Sequence, residues 1–326
     1  MSAPRILVRG AGVSGLVTAL LLAECGAAVT VAEQGERVGS GASWKAGGML
    51  APWCEAESAP HEILEQAGET IDWWLAHAPD AVRHGSLVLA PARDTTELDR
   101  FARRTTGHEW LDRAAIAALE PDLAGRFGRA LFFPGEAHLD PRLALPALAH
   151  QLAGLGGRIL LGTDAAADGF DHIVDCRGFA ARGELAGLRG VRGEMLLLRC
   201  PELRLSRPVR LLHPRFPVYL VPRADHLFML GATMVESEQT GGVTARAMME
   251  LLGAAYALHP AFAEAEIVET GAGLRPSFAD NMPRVQEDGG VISVNGMHRH
   301  GFLLAPVLAR SVAARLGLRQ PPGLHR

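Results

Sequence analysis

Residues 5–26 read R-I-L-V-R-G-A-G-V-S-G-L-V-T-A-L-L-L-A-E-C-G. The apolar run Ile6-Leu7-Val8 has the length of a buried strand, and the stretch from Leu16 has the composition of a helix. Between them Gly10, Gly12 and Gly15 occupy the three positions of a G-x-G-x-x-G turn. The first glycine permits the tight turn, the second lets the backbone approach a pyrophosphate, and the third lets the helix pack on the strand. The helix N-terminus then offers unpaired N–H groups and a partial positive charge to a phosphate. Gly26 suits the left-handed residue that closes such a helix.

A second strand, A-A-V-T-V-A-E, ends at Glu33, 18 residues beyond Gly15. That is where an acid that hydrogen-bonds a ribose 2′-hydroxyl belongs. A lone glycine turn can be merely structural. Strand, helix, second strand and acid in this order instead predict dinucleotide binding, with Gly10, Gly12, Val13, Ser14, Gly15, Glu33 and Gln34 as binding residues.

The 326 residues carry a formal net charge of -4, so no global positive field exists to hold a nucleic-acid backbone. Hydrophobic residues at 48% and charged residues at 21% supply ordinary cores, and the length suits about two domains. The apolar stretch from Leu16 to Val31 is interrupted by Glu24 and Gly26 and is too short to span a bilayer. Arg5 and Arg9 ahead of it imitate a signal peptide, but the glycine pattern accounts for the same residues better. Cys25, Cys54, Cys176 and Cys200 show no C-x-x-C pair or zinc spacing, as expected of a reduced cytoplasmic protein.

Beyond Glu33 comes E-R-V-G-S-G-A-S-W-K-A-G-G-M-L-A-P-W-C, residues 36–54. Its small residues, Ser43, Ala46 and Gly47 among them, let backbone lie close to a flat ligand, where a plain NAD domain would enter another helix. Trp44, Trp53 and Cys54 read as packing residues, and Met49 as either core or ligand-facing. Here the chain resembles the FAD-dependent amino-acid and amine oxidases of the D-amino-acid oxidase type. A-G-G-M-L-A-P is most similar to their glycine oxidase branch, associated with thiamine biosynthesis. The resemblance covers essentially the whole chain, strongest at residues 5–54 and 270–306. It implies FAD, and because relatives with covalent flavin use a C-terminal cysteine while none follows Cys200 here, noncovalent FAD.

The fold class expected is α/β. A Rossmann-like FAD-binding domain with a parallel sheet, residues 1–80, 131–185 and 270–326, interleaves with an α+β substrate or cap domain on a mainly antiparallel sheet, residues 81–130 and 186–269. A helix is expected over 61–77 with Ile63, Ala67, Ile71 and Trp74 on one face, and further helices near 95–104 and 114–119. Asp140 and Pro141 start a helix that Pro146 should distort or restart. I-V-D-C-R-G, residues 173–178, resembles the strand that returns to the dinucleotide, placing Cys176 and Gly178 at the cofactor.

Three polar side chains stand among apolar or glycine neighbours: Arg275 in G-A-G-L-R-P, Tyr219 in P-V-Y-L-V-P and Arg299 in H-R-H-G-F. An arginine so placed costs desolvation energy unless an anion pairs with it, and its planar fork fits a carboxylate. The bland alternative for Arg275 is an internal salt bridge to Asp280; for Tyr219 it is packing. In the resemblance, G-L-R-P and Y-L-V-P supply the arginine and tyrosine that clamp a substrate carboxylate, with Arg299 as a second cation. A last helix is expected near Gly301, its N-terminus, with His300, Gly301, Phe302 and Leu303, at the flavin. Two histidines without a third ligand predict no metal.

The expected activity is oxidation of a small amino acid, glycine first, with O2 as acceptor and no catalytic side chain beyond substrate positioning. The products would be the imine or 2-oxo acid and H2O2, with dehydroglycine supplied to thiamine thiazole synthesis. Oxidation of D-amino acids, sarcosine or other N-methylamines, dehydrogenase chemistry and a non-catalytic flavoprotein stay open. So do the oligomeric state, a homo-oligomer included, and the roles of His298 and His300.

Overall fold

The computed structural model describes residues 3–56, 67–213 and 215–319. Two sheets organise it. The smaller has six strands in the order Arg284–Asp288, Val291–Asn295, His172–Asp175, Arg5–Arg9, Ala28–Glu33 and Arg158–Leu161. All neighbours run parallel except the hairpin that adds Arg284–Asp288 at one edge. Ile6, Leu7 and Val8 are fully buried, as an uninterrupted apolar strand inside a two-sided parallel sheet must be.

The helix Val13–Glu24 leaves the glycine turn and buries ten residues. It packs against the helices Gly301–Arg315 and Pro141–Gly154. Gly26 ends it at φ +86°, with Gly26 and Ala27 N–H donating to the carbonyls of Ala23 and Leu22. Leu16, Leu20, Phe302, Leu304 and Leu148 share one core cluster with the sheet, which fixes two helix N-termini relative to the strand ends.

The larger sheet has eight strands, in the order Glu266–Ser277, Arg189–Arg199, Leu227–Gly231, Val218–Pro222, Val209–Leu211, Ser86–Leu89, Arg129–Phe133 and Glu109–Asp112. Every pairing is antiparallel but Val209–Leu211 with Ser86–Leu89. The helix Ala245–Leu258, capped by the Thr244 hydroxyl, contributes Leu251, Ala254, Ala255 and Leu258 to a second core cluster with Leu196, Leu198, Leu220 and Leu230 of this sheet. By strand alternation the opposite faces of the same strands carry Met195, Tyr219 and Met229.

Two expectations bear revision, and a third lies partly outside the described residues. Boundaries at 130/131 and 269/270 would cut the strands Arg129–Phe133 and Glu266–Ser277, both paired within the larger sheet; we propose boundaries after Phe133 and Ser277. The helix expected from residue 61 is described from Ala67 to His77, and Ile63 lies outside the described residues. The helix does not restart at Pro146 but runs from Pro141 to Gly154 behind an Asp140 cap on the Arg142 N–H. Burial of Ala144, Leu145, Leu148 and Leu152 outweighs the one backbone bond that the proline lacks. The helices Thr96–Arg104 and Arg113–Leu119 lie within a residue of expectation.

Candidate active site

A cavity of about 1240 Å³ runs from the glycine turn to the exposed-facing side chains of the larger sheet. At its first end the turn is held by contacts that allow no side chain. A Cβ on Gly10 would sit 2.7 Å from the Cys176 carbonyl oxygen, and one on Gly15 1.9 Å from the Gly10 oxygen. Gly12 caps the helix without a side chain, and the Val13 N–H donates to Ser43 Oγ at 3.0 Å, tying the small-residue loop to the turn. Glu33 secures the same region: one carboxylate oxygen accepts from the Ala11 N–H (2.7 Å), the other from the Gly35 N–H (2.8 Å) and Ser40 Oγ (3.1 Å). A carboxylate has about four acceptor sites, so these three bonds leave capacity for a ribose hydroxyl.

Gly47 lies against the Tyr219 ring, 2.6 Å from where its Cβ would be, and its carbonyl accepts from the buried Arg223 at 2.6 Å. Arg223 also donates to the Leu139 oxygen at 2.8 Å, so one guanidinium locks the loop to the larger sheet. Lys45 donates to the Ala272 oxygen, its stem lying over Gly271 and Gly273.

Arg275 projects from the strand Glu266–Ser277 across Gly193 of the neighbouring strand, where a Cβ would come within 2.2 Å of the guanidinium carbon. It donates to the Thr233 oxygen at 3.1 Å and lines the same cavity wall as Tyr219. Burial pulls the guanidinium below its ordinary value, and Tyr219 opposes the fall. Asp280, the alternative partner, pairs with Arg284 at 2.6 Å instead. Among the described residues no carboxylate pairs with Arg275. An enclosed guanidinium lining a cavity, without an acid, is a site for a ligand's carboxylate.

The third wall is the turn before the helix Gly301–Arg315. His298 adopts φ +45°, and burial together with Arg275 pushes its imidazole down to about 3, so it is neutral. Burial also lowers His300, against the pull of Glu55. The helix has no side-chain cap and no acid in its first turn, leaving its N-terminus free to face negative charge. Arg299 is not a free second cation. Its Nη2 stands 3.2 and 3.1 Å from the two Glu55 oxygens, and Arg210 Nη2 lies 3.0 Å from the same carboxylate. Burial works to raise the Glu55 carboxyl, but Arg299 and Arg210 bring it to about 2, so it is ionised.

Of the expected cofactor residues, Gly10, Gly12, Val13, Ser14, Glu33, Ser43, Ala46, Gly47, Met49, Cys176, Gly178, His300, Gly301, Phe302 and Leu303 line this cavity, as do Tyr219, Arg275 and Arg299. Gly15 does not line it; it serves the packing of turn on helix. Gln34 is exposed outside the cavity, directed at Asp164 (3.4 Å). Trp44 lies between the Arg37 and Arg142 guanidiniums, and Trp53 fills the space over Gly107 and Gly135. Met49 both lines the cavity and packs on core. Sequence reasoning missed Glu55, Lys45, Thr233 and Arg223. Glu55 had a signal: it is the first acid after Glu36, closing 18 residues without one.

The residues present fit a flavin adenine dinucleotide. The side-chain-free turn, the uncapped helix N-terminus and the small-residue loop form a continuous path into a cavity larger than a small ligand alone requires. Among the described residues no three potential ligands gather for a metal, and no helix is long and apolar enough to cross a membrane.

Comparison with known proteins agrees. The chain is 60% identical over 314 residues to a Rhizobium etli protein assigned to thiamine biosynthesis as the oxidoreductase ThiO, 96% of each chain being covered. It is 30% identical to a glycine oxidase of Pseudomonas aeruginosa over 97% of this chain and 96% of that one. The crystal structure of glycine oxidase from Geobacillus kaustophilus superposes with a TM-score of 0.80 at 24% identity, covering 98% and 96% of the two chains. The model of the family described as DAO, FAD dependent oxidoreductase, matches residues 5–315, and the chain belongs to that family: it is an FAD-dependent oxidoreductase.

Proposed function

We propose that this enzyme oxidises the α-carbon of a small amino acid, glycine before others, to the imine, with O2 reduced to H2O2. The observation that carries the reading is Arg275, an enclosed guanidinium beside Tyr219 with no acidic partner among the described residues. The similarity to proteins assigned to glycine oxidation and thiamine biosynthesis supports the substrate class and a supply of dehydroglycine to thiazole formation.

FAD, when bound, would supply a hydride acceptor and a route for the two electrons to O2. The chain's own residues do the rest. The turn at Gly10–Gly12 and the N-terminus of Val13–Glu24 would hold the pyrophosphate, with Glu33 at the adenosine ribose. The helix Gly301–Arg315 would direct its N-terminal N–H groups at the ring end. Arg275 binds the substrate carboxylate through its planar fork and Tyr219 donates to the same group, fixing the amino acid by one end. No side chain must remove the α-hydrogen as a proton if it leaves as hydride from the neutral amine. His298, held neutral, adds no positive charge beside the substrate's amine. Amine plus O2 gives imine plus H2O2, and water then converts free imine to 2-oxo acid and ammonia. Cys176, a thiol pushed up to about 12 by burial, makes a poor tether, consistent with noncovalent FAD.

The test is peroxide release across glycine, sarcosine and D-amino acids. Glycine is expected to give the highest kcat/KM, and a preference for sarcosine or a D-amino acid above tenfold would replace glycine as substrate. Anaerobic bleaching of the yellow protein by glycine separates catalysis from a non-catalytic flavoprotein, for which no amine bleaches it. Acid precipitation should leave the colour in the supernatant.

A further inference from the structure

Glu55 pairs with Arg210 and Arg299 and not with Arg275, and it is an ionised acid set inside the cavity wall. It ends the short helix Pro52–Glu55, directly after the small-residue loop. Its carboxylate gathers groups from two other elements: Arg210 of the strand Val209–Leu211, and Arg299 with His300 from the turn before the last helix. Arg299 Nη2 donates to Glu55 Oε1 (3.2 Å) and stands at ion-pair distance from Oε2 (3.1 Å), a buried oxygen that accepts no hydrogen bond and has His300 Nδ1 3.7 Å away. Arg299 therefore already has a carboxylate partner within the cavity wall.

Arg275 and Arg299 line one cavity and are close enough to repel each other. Without Glu55, Arg299 would join Arg275 as a second guanidinium without a carboxylate partner on the cavity wall, while Arg210 would keep its bond to the Cys54 oxygen; that arrangement suits a ligand with two carboxylates. With Glu55, a second carboxylate must displace an acid already in place or remain unpaired beside it. Discrimination through a built-in repulsive charge is a general route to specificity.

Resting on the reading that Arg275 takes the substrate carboxylate, we propose that Glu55 is a specificity-determining residue: its carboxylate occupies Arg299 within the cavity, restricting the enzyme to monocarboxylic amines and excluding those that carry a second carboxylate.

The test uses the FAD-loaded enzyme and two non-reacting probes of one size, malonate and malonamate, which differ in the charge of one end. Their dissociation constants are read from perturbation of the flavin absorption spectrum. The wild type should bind malonamate at least about tenfold more tightly than malonate. Glu55→Gln, which keeps size and a hydrogen-bond acceptor, should improve malonate binding about tenfold or more and move malonamate far less. Adding Arg299→Leu to Glu55→Gln should cancel the gain. With amine substrates the same variant should raise the kcat/KM ratio of iminodiacetate to glycine. A merely structural Glu55 would alter both probes alike, and an unchanged ratio in Glu55→Gln overturns the proposal. So does a wild type that binds malonate as tightly as malonamate, a measurement that needs no variant. If Arg275→Met leaves malonamate binding intact, it is the underlying carboxylate reading that fails.

Discussion

The glycine turn and the proposed carboxylate pocket line one cavity and are built in different ways. The turn is made by residues 10–15 with one acid, Glu33, closing over it. The pocket draws Arg275, Tyr219, Thr233 and Gly193 from four segments spread over some eighty positions, with Glu55, Arg210 and Arg299 behind them. The first is a backbone site whose requirement is the absence of side chains. The second is a side-chain site whose requirement is one charge left without a partner. A backbone site should fail through sterics and lose the coenzyme, whereas a side-chain site should fail through chemistry and keep it.

Four measurements can break or sharpen that contrast. Arg275→Met should lower kcat/KM for glycine by about a thousandfold, the equivalent of two charge-assisted hydrogen bonds, while the flavin spectrum persists. Loss of FAD in that variant would erase the distinction. Gly15→Ala places a carbon 1.9 Å from the Gly10 oxygen, and should weaken FAD binding by about a hundredfold in a fluorescence titration, since a backbone overlap cannot be relieved by a rotamer. Tyr219→Phe removes one hydroxyl and should raise KM about tenfold, with kcat changed less.

The smallest effect concerns Glu136, buried behind the pocket, whose side chain accepts the Cys54 N–H at 2.7 Å. Burial raises its carboxyl from 4.5 to about 7. A folded-state value above the unfolded one means that its contribution is complete below about pH 4.5 and is lost as pH rises through 7. Glu136→Gln should therefore gain in Tm relative to the wild type between pH 5 and pH 8, by a few degrees. A Tm difference that stays flat across that range would contradict the burial argument.

How much of this was legible in the sequence follows from the same contrast. The turn, the strand to Glu33 and the helix from Gly301 could be read directly, because each is set by spacing within about twenty-five residues. Arg275 and Tyr219 stood out by their apolar neighbours, though their meeting was implied only by resemblance. Glu55 was not legible as a partner of Arg299, 244 positions away, because an ion pair between distant segments leaves no period or spacing behind. Pro146 misled as a restart for a related reason: its local cost is written in the chain, and the packing that offsets it is not. The domain limits we propose lie three and eight positions beyond those expected from the sequence, since strand ends are set by pairing with neighbours contributed from elsewhere.

Gly193 carries a consequence for redesign. The guanidinium lies flat on bare main chain there, so the floor of the chamber cannot be raised to suit a smaller guest without evicting the anchor itself. Efforts to resize the chamber must work on walls outside those two strands. A methyl group at this one position would shift the guanidinium and leave the backbone cradle at the other wall untouched.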